Sequence, residues 1–468
     1  MGKFIYQELS DRFEEMIVQG TLKTGDRLPS VRSLSKEEEI SISSVYQAYI
    51  DLESKGLIEA RPKSGYYVKF SPRQMHRITS VNPSKPDRAQ KATSLAEEVY
   101  TNLKKENLVM LSVNKPDAAV LPVAKLKNSL LQVIRKDPEE LLDYNSIYGN
   151  ESLRRQIARI SFSAGITVKS EEIITTSGCL EAIHFALLTV TQPGDKIALE
   201  SPTYFGLFKA IETAGRIPVE IHSDPLTGIE LEALEEAIEE GVKACIVISS
   251  FSNPLGASLP DDKRKALVEL VTRKNIYLVE DDIYGELYFG NARQKACKAY
   301  DTKGHVILCS SFSKSVAPGY RVGWVIPGRY YGEVLNLKMS HSVSTSSLTE
   351  IAMAHFLENG RYDLHMRNLR KVLHLQSLQY LQAIHRHFPE DIKVSQPHGG
   401  FVVWVELPKG RNTEELYRKA LERGISIAPG QLFSQKADLN NYFRLSFGKP
   451  FTNEIDMALK VLGELMAE

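Results

Sequence analysis

The stretch Ser311-Phe312-Ser313-Lys314, with Arg321 seven positions beyond the lysine, follows the apolar run 306–308. It sets an amine nucleophile, a hydroxyl and a guanidinium on one short turn after a strand. A lysine beside phosphate-binding groups suits a Schiff base to a phosphorylated aldehyde. Serine and lysine are common, so the stretch takes its meaning from four further segments placed in order along the chain.

Apolar strand-like runs at 173–175, 196–199, 244–248, 276–279 and 306–308 alternate with helix-like segments from about residue 95 onward. The alternation predicts an α/β layered domain with a mostly parallel sheet, where ligands meet the carboxyl ends of strands. Ser177-Gly178-Cys179-Leu180 follows the first run, and its bare N–H groups at a helix start suit a phosphate. An ordinary strand-to-helix turn looks the same. Ser201-Pro202-Thr203-Tyr204 follows the second and puts an aromatic at a strand exit, to cover a flat ring or simply to pack. After the third, Ser252-Asn253-Pro254-Leu255-Gly256 offers Asn253 to a ring hydroxyl. After the fourth, Glu280-Asp281-Asp282-Ile283-Tyr284 offers a carboxylate to a ring nitrogen, although a solvated acidic turn reads alike. Five such motifs in sequence are hard to obtain by accident. Segments 401–406 and 442–447, flanked by helices, predict a smaller C-terminal α+β subdomain.

A length of 468 residues allows two or three domains, and 43% hydrophobic with 25% charged residues is ordinary for a globular protein. No apolar run approaches the roughly 18 residues that cross a bilayer. The opening Met-Gly-Lys turns amphipathic at once, without a signal-peptide core. Cys179, Cys245, Cys297 and Cys309 form neither a CxxC pair nor a disulfide framework, so a reducing cytoplasm and no metal site are expected. The first 70 residues carry 10 Lys/Arg against 11 Asp/Glu. Any nucleic-acid contact there must use locally placed cations, since no bulk basic field exists.

Residues 1–70 read as a compact unit. Ile5, Leu9, Phe13, Met16 and Ile17 recur at helical spacing and Gly20 ends that helix. Ser30 suits the N-cap of a short second helix. A third helix from about Ser41 carries Val45, Ala48, Tyr49 and Leu52 on one face, and Gly56 closes it. Short strands at 57–61 and 66–69 flank Pro62-Lys63-Ser64-Gly65. Three helices and a hairpin describe a winged helix-turn-helix. Residues 71–94, with Pro72, Pro83 and Pro86, read as a polar linker, and residues 95–468 as the α/β body.

The body resembles the fold-type-I, aspartate-aminotransferase-like enzymes that use pyridoxal 5'-phosphate (PLP). The resemblance spans nearly all of 95–468 and implies a role for each matching position. Lys314 would carry the cofactor as a Schiff base, and Asp281 would keep its ring nitrogen protonated. Asn253 and Tyr284 would hold the ring oxygen, and Tyr204 would stack on the ring. Backbone amides at Cys179 and Leu180, with Ser311 and Arg321, would hold the phosphate. Tyr144, in Tyr144-Asn145-Ser146-Ile147-Tyr148-Gly149, would reach a partner's phosphate across a dimer interface. Arg444 would take a substrate or effector carboxylate. The chain departs from the pattern at Cys179-Leu180, and it lacks the glycine usual near Val113-Asn114-Lys115-Pro116.

Residues 4–70 resemble the GntR-type winged helix, through Gly25-Asp26-Arg27-Leu28-Pro29-Ser30-Val31-Arg32, Leu52-Glu53-Ser54-Lys55-Gly56-Leu57-Ile58 and the wing 61–68. Head, linker and aminotransferase-like body in this order resemble the MocR regulators. Ser43, Ser44, Tyr46 and Gln47 would face the major groove of a double-stranded operator, and Arg32 and Lys63 would hold phosphates. No charged residue stands between Ser41 and Ile50, and Ile42 is expected to pack in the core. Two functions compete. One is a cytoplasmic regulator, a homodimer with head-to-tail exchange as one arrangement, sensing PLP or an amino compound. The other is an aminotransferase with an accessory head. A body serving only as a dimerisation scaffold is a third.

Overall fold

The computed structural model describes residues 4–62, 64–71, 76–78, 95–99, 101–102, 105, 107–136, 138–358, 360–435 and 439–468. The head opens with helices α1 (Ile5–Val18), α2 (Val31–Glu37) and α3 (Ile42–Ser54). Ser30 and Ser41 cap α2 and α3 by accepting hydrogen bonds from the Ser33 and Ser44 amides. Antiparallel strands β1 (Ile58–Arg61) and β2 (Gly65–Val68) form the wing. Lys63 lies outside the described residues. Leu9, Phe13, Ile17, Val45, Tyr49 and Leu52 close the core that the helical spacing predicts.

The expected linker is in part structured. Within it β3 (His76–Arg77) pairs in parallel with a strand of the C-terminal subdomain, and Phe70, Ser71 and Ile78 are buried. Burying Phe70 and Ile78 stabilises this attachment by more than a polar reading of 71–94 allows. Residues 72–75 and 79–94 of that stretch lie outside the described residues.

Next come the short β4 (Val109–Met110) and an eight-stranded sheet built from β5 (Ile174–Thr176), β6 (Lys196–Ser201), β7 (Ile217–Asp224), β8 (Gly228–Ile229), β9 (Val242–Val247), β10 (Tyr277–Asp281), β11 (Val306–Ser311) and β12 (Gly323–Ile326). Their order is β5-β12-β11-β10-β9-β6-β7-β8. β11, β10, β9, β6 and β7 run parallel, and β12 is antiparallel to both β11 and β5. β5 therefore points the same way as the central block, and the carboxyl ends of β5, β6, β9, β10 and β11 share one edge. The central strands are buried along nearly their whole length, as helices on both faces of a parallel sheet require.

The C-terminal subdomain holds β13 (Lys393–Val394), β14 (Val402–Glu406), β15 (Ile425–Ser426), β16 (Ala428–Pro429) and β17 (Tyr442–Ser446). β16, β17, β14, β13 and β3 form one sheet, and β15 pairs with β4. The long helix Arg361–His387 leads into this subdomain and carries the head. Leu378 from this helix completes the head's core cluster. Gln382 Nε2 donates to the carbonyls of Lys55 and Gly56 at 3.2 and 3.1 Å. His374 Nε2 lies 3.0 Å from a Glu14 carboxylate oxygen, and Lys55 Nζ lies 2.9 Å from the other. Burial would raise Glu14, yet His374 and Lys55 outweigh it and hold the carboxyl down at about 2. The other face of His374 stacks on Phe289 at 5.0 Å, and Phe289 packs against Phe447 just beyond β17.

Candidate functional site

Because those five strands end on one edge, the five punctuated turns meet there. Lys314 sits in the turn after β11, and its Nζ donates to the main-chain carbonyl of Asn114 while standing 5.9 Å from the centre of the Tyr284 ring. Burial first, and then the Arg444 guanidinium, lowers Lys314 to about 8. An amine so depressed is partly neutral near physiological pH, the form that attacks a carbonyl.

Asp281 closes β10. Burial raises it to about 6, against two donors that favour the anion. Both serve Oδ1: the Cys179 thiol at 3.2 Å and the Ile283 amide at 3.1 Å. Oδ2 is thus the oxygen placed to meet a ring N–H. The Cys179 thiol is itself pushed well above its ordinary value by burial and the Asp281 charge, so it stays a neutral donor.

The helix Cys179–Val190 starts at Gly178 with no side-chain cap. Its first N–H groups therefore face the site, as anion binding requires. Gly178 is at φ 101°, and a Cβ there would stand 2.4 Å from Arg321 Nη2. Arg321 itself is left-handed at φ 56°, an uncommon conformation for a non-glycine residue. Its guanidinium donates to the Ser177 carbonyl at 3.0 Å and to Ser313 Oγ at 3.3 Å. Ser311 Oγ accepts from the Ser313 amide at 3.3 Å. Helix start, two hydroxyls and a guanidinium thus stand together as one cradle of hydrogen-bond donors.

Opposite the cradle, Arg444 on β17 is buried; Nη1 donates to Asn253 Oδ1 at 2.9 Å and Nη2 to the Ser112 carbonyl. Asn253 thus has its carbonyl engaged and its amide N–H groups left to donate. The Tyr284 hydroxyl accepts from Asn114 Nδ2 at 2.7 Å. Tyr204 lies at the β6 exit, with its ring against Phe205 at 4.8 Å. Tyr144 is 83% exposed. Its loop hangs from Glu350, which accepts from Asn145 Nδ2 at 2.6 Å and from the Asn150 amide at 2.7 Å.

Sequence reasoning missed three contributions. Asn114 touches both Lys314 and Tyr284, at the very stretch where the usual glycine is absent. Ser313 steadies Arg321. The Cys179 side chain, beyond its backbone amide, contacts Asp281. The first was signalled by the departure at 113–116; nothing in spacing announces the other two.

The donor set fits PLP. A half-buried lysine, a carboxylate whose second oxygen has no partner among the described residues, an uncapped helix start beside a guanidinium, and a buried arginine match its aldehyde, ring nitrogen and phosphate and an incoming carboxylate.

In the head, Arg32, Ser43, Tyr46 and Gln47 are exposed and Ser44 is half-buried. The Ser43 and Ser44 hydroxyls both pair with the N-cap Ser41 hydroxyl at 2.8 Å. Ile42 corrects the expectation of core packing, for it is 56% exposed. As the first residue of α3 it stands at the edge of the face that Val45, Ala48 and Tyr49 bury, at the helix end, where it stays exposed.

Fold and site together define a PLP-binding, aminotransferase-like body joined to a winged helix-turn-helix. The family "Aminotransferase class I and II" matches residues 106–462, and "Bacterial regulatory proteins, gntR family" matches residues 5–68. Over 98% of both chains, the protein is 37% identical to the HTH-type transcriptional regulator YjiR of Escherichia coli (strain K12). Over 99% of both it is 36% identical to YdcR of the same organism. Among solved structures, Pyrococcus horikoshii kynurenine aminotransferase superposes with a TM-score of 0.74 at 28% identity, covering 81% of this chain and 95% of that one. LysN, the alpha-aminoadipate aminotransferase of Thermus thermophilus, gives 0.73 at 27% identity, covering 81% and 96%. The chain belongs to the MocR-type, GntR-family transcriptional regulators with an aminotransferase-like domain, and its cofactor is pyridoxal 5'-phosphate. Among the described residues no helix is long and apolar enough to cross a membrane.

Proposed function

We propose that this protein is a cytoplasmic, sequence-specific transcriptional regulator whose body senses PLP, alone or with an amino compound, and whose head binds operator DNA. The observation that carries the reading is the junction. The groups proposed to hold the cofactor lie on one chain with a winged helix, joined to it through Glu14, His374, Gln382 and Leu378.

Bound in this site, PLP supplies an aldehyde for an amine and a ring that withdraws electrons. The residues do the rest. Lys314 presents a partly neutral amine because burial and Arg444 disfavour its charge. Asp281 would hold a proton at the ring nitrogen, with its Oδ1 fixed by Cys179 and Ile283. The Cys179 and Leu180 amides, with Ser311 and Arg321, would hold the phosphate; Asn253 and Tyr284 would meet the ring oxygen; Tyr204 would cover the ring. Arg444, freed from Asn253 and Ser112, draws in an effector carboxylate and so pulls on β17. Tyr144, exposed on its own protomer, serves the phosphate of a partner in a homodimer. A head exchanged between protomers would use the same junction surfaces.

A ligand moves the head only by its difference in affinity for two head arrangements. The route from Phe447 through Phe289 and His374 to Glu14 is a packed chain along which β17 meets α1. Operator affinity measured with and without PLP, and with a panel of amines, tests the proposal; the same affinity under every condition would sink it. Efficient net conversion of amino acids to oxo acids by the purified protein would instead favour an aminotransferase with an accessory head.

A further inference from the structure

The outward side of α3 carries an apolar stripe. Ile42, Tyr46 and Ile50 are 56%, 51% and 37% exposed. Their spacing of four residues puts them on one stripe of the helix. The helix cannot roll to hide them, because Val45, Ala48, Tyr49 and Leu52 are already buried along the adjoining face and the Tyr49 hydroxyl is tied to the Pro29 carbonyl at 2.8 Å. Gln47 is exposed beside the stripe, and the hydroxyls of Ser43 and Ser44 are turned back onto Ser41. No cation stands between residues 41 and 50, and the turn just before carries exposed Glu37 and Glu39.

We infer that α3 selects A·T pairs by packing Ile42, Tyr46 and Ile50 against thymine C5-methyl groups in the major groove. The inference rests on the DNA-binding reading above and deepens it. Among groups that bases present in that groove, the thymine methyl is the apolar one, and a glutamine pairs its two bonds with adenine. Stripe and glutamine therefore ask for the same base pair. From Ile42 to Ile50 the stripe runs about 12 Å at 1.5 Å per residue, roughly three to four base pairs at 3.4 Å each. With no cation between residues 41 and 50, α3 itself adds little phosphate attraction, and methyl contacts carry a larger share of what this helix contributes.

The experiment uses the full-length protein loaded with PLP and a random-sequence duplex library. Enriched duplexes are resynthesised with deoxyuridine replacing thymidine, one position at a time, which removes only the methyl. At contacted positions binding should weaken about fourfold per methyl, the ~0.8 kcal/mol of one buried methyl converted at ~1.4 kcal/mol per tenfold. Ile42→Ala should erase that penalty at the thymine it faces and leave the others; a melting scan and the visible absorbance of bound cofactor check that the variant is folded. Enriched sites without thymine, or uracil duplexes bound as tightly as thymine ones, would overturn the inference and leave DNA binding standing. Loss of self-association in Ile42→Ala without DNA, with no change in the uracil penalty, would assign the stripe to a second head instead and overturn it too. A library that shows no enrichment overturns the DNA-binding reading itself, and this inference with it.

Discussion

Head and body place their functional groups in opposite ways. In the body, Asp281 and Ser311 are buried at strand ends, Asn253 in the loop after β9 and Arg444 within β17, and each is held by neighbours before any ligand arrives. In the head, Ile42, Tyr46 and Gln47 stand in water on the outer face of one helix. The body is pre-organised, so its chemistry is tuned by burial and charge. The head is a surface whose meaning depends on a partner's shape. The difference teaches where substitutions should hurt: deep in the body they should act all or none, and on the head gradually.

The largest effect is expected at Lys314. Lys314→Ala should abolish the visible absorbance of the bound cofactor and blunt every ligand response, read directly from the spectrum of the purified protein. Arg321→Ala should come next. Losing a charge-assisted grip on phosphate is worth roughly 1.5–3 kcal/mol, about a tenfold to hundredfold weaker cofactor affinity by equilibrium dialysis. The proton on Lys314 gives a third test. Its pKa lies at about 8 in the fold, so below that pH the neutral fraction falls about tenfold per unit. Cofactor uptake by the apoprotein, followed by stopped-flow absorbance, should rise with pH and level off above about 8; a flat profile would contradict the depressed amine.

Two smaller tests probe the junction and the head surface. Glu14 is held down at about 2 by His374 and Lys55. A depressed carboxyl contributes stability that is present above the ordinary carboxylate range near ~4.3 and lost as pH falls toward about 2. Glu14→Gln should remove that acid dependence and cost roughly 1–3 kcal/mol, as a hydrogen-bonded charge near burial does, measured by denaturant unfolding at pH 7 and pH 3. Tyr46→Ala should change folding stability by no more than about 0.5 kcal/mol, because an exposed side chain off any network rarely matters more. A large loss there would erase the contrast between the two regions.

How legible each region is follows from the same contrast. The central strands could be anticipated from runs such as 244–248 and 306–308 because parallel strands buried on both faces are nearly continuous apolar segments. The turns were legible too, since a lysine, an aspartate, an asparagine and an arginine at successive strand ends have few structural uses in common. Asn114 and the Cys179 thiol were not, because their roles arise only when residues far apart in sequence meet: Asn114 reaches Lys314 across 200 positions and Cys179 reaches Asp281 across 102. Ile42 was misread because an isoleucine at a helix start carries the same signal whether it points inward or outward, and only the angle of α3 on α1 decides. The strand His76–Arg77 escaped because two residues hold no periodicity.

One side chain joins the two regions in a further way. Leu378 belongs to the body's helix by sequence but to the head's interior by packing, with only 3% of its surface exposed. Losing such a side chain from a core costs about 1.5–3 kcal/mol, a large share of what a unit of this size can muster. A fragment cut after the wing would therefore breathe more than the same residues do in the whole protein. Footprints and affinities collected on that fragment would describe a looser reader than the one seated on its helix, and heat should melt the two parts as one cooperative unit.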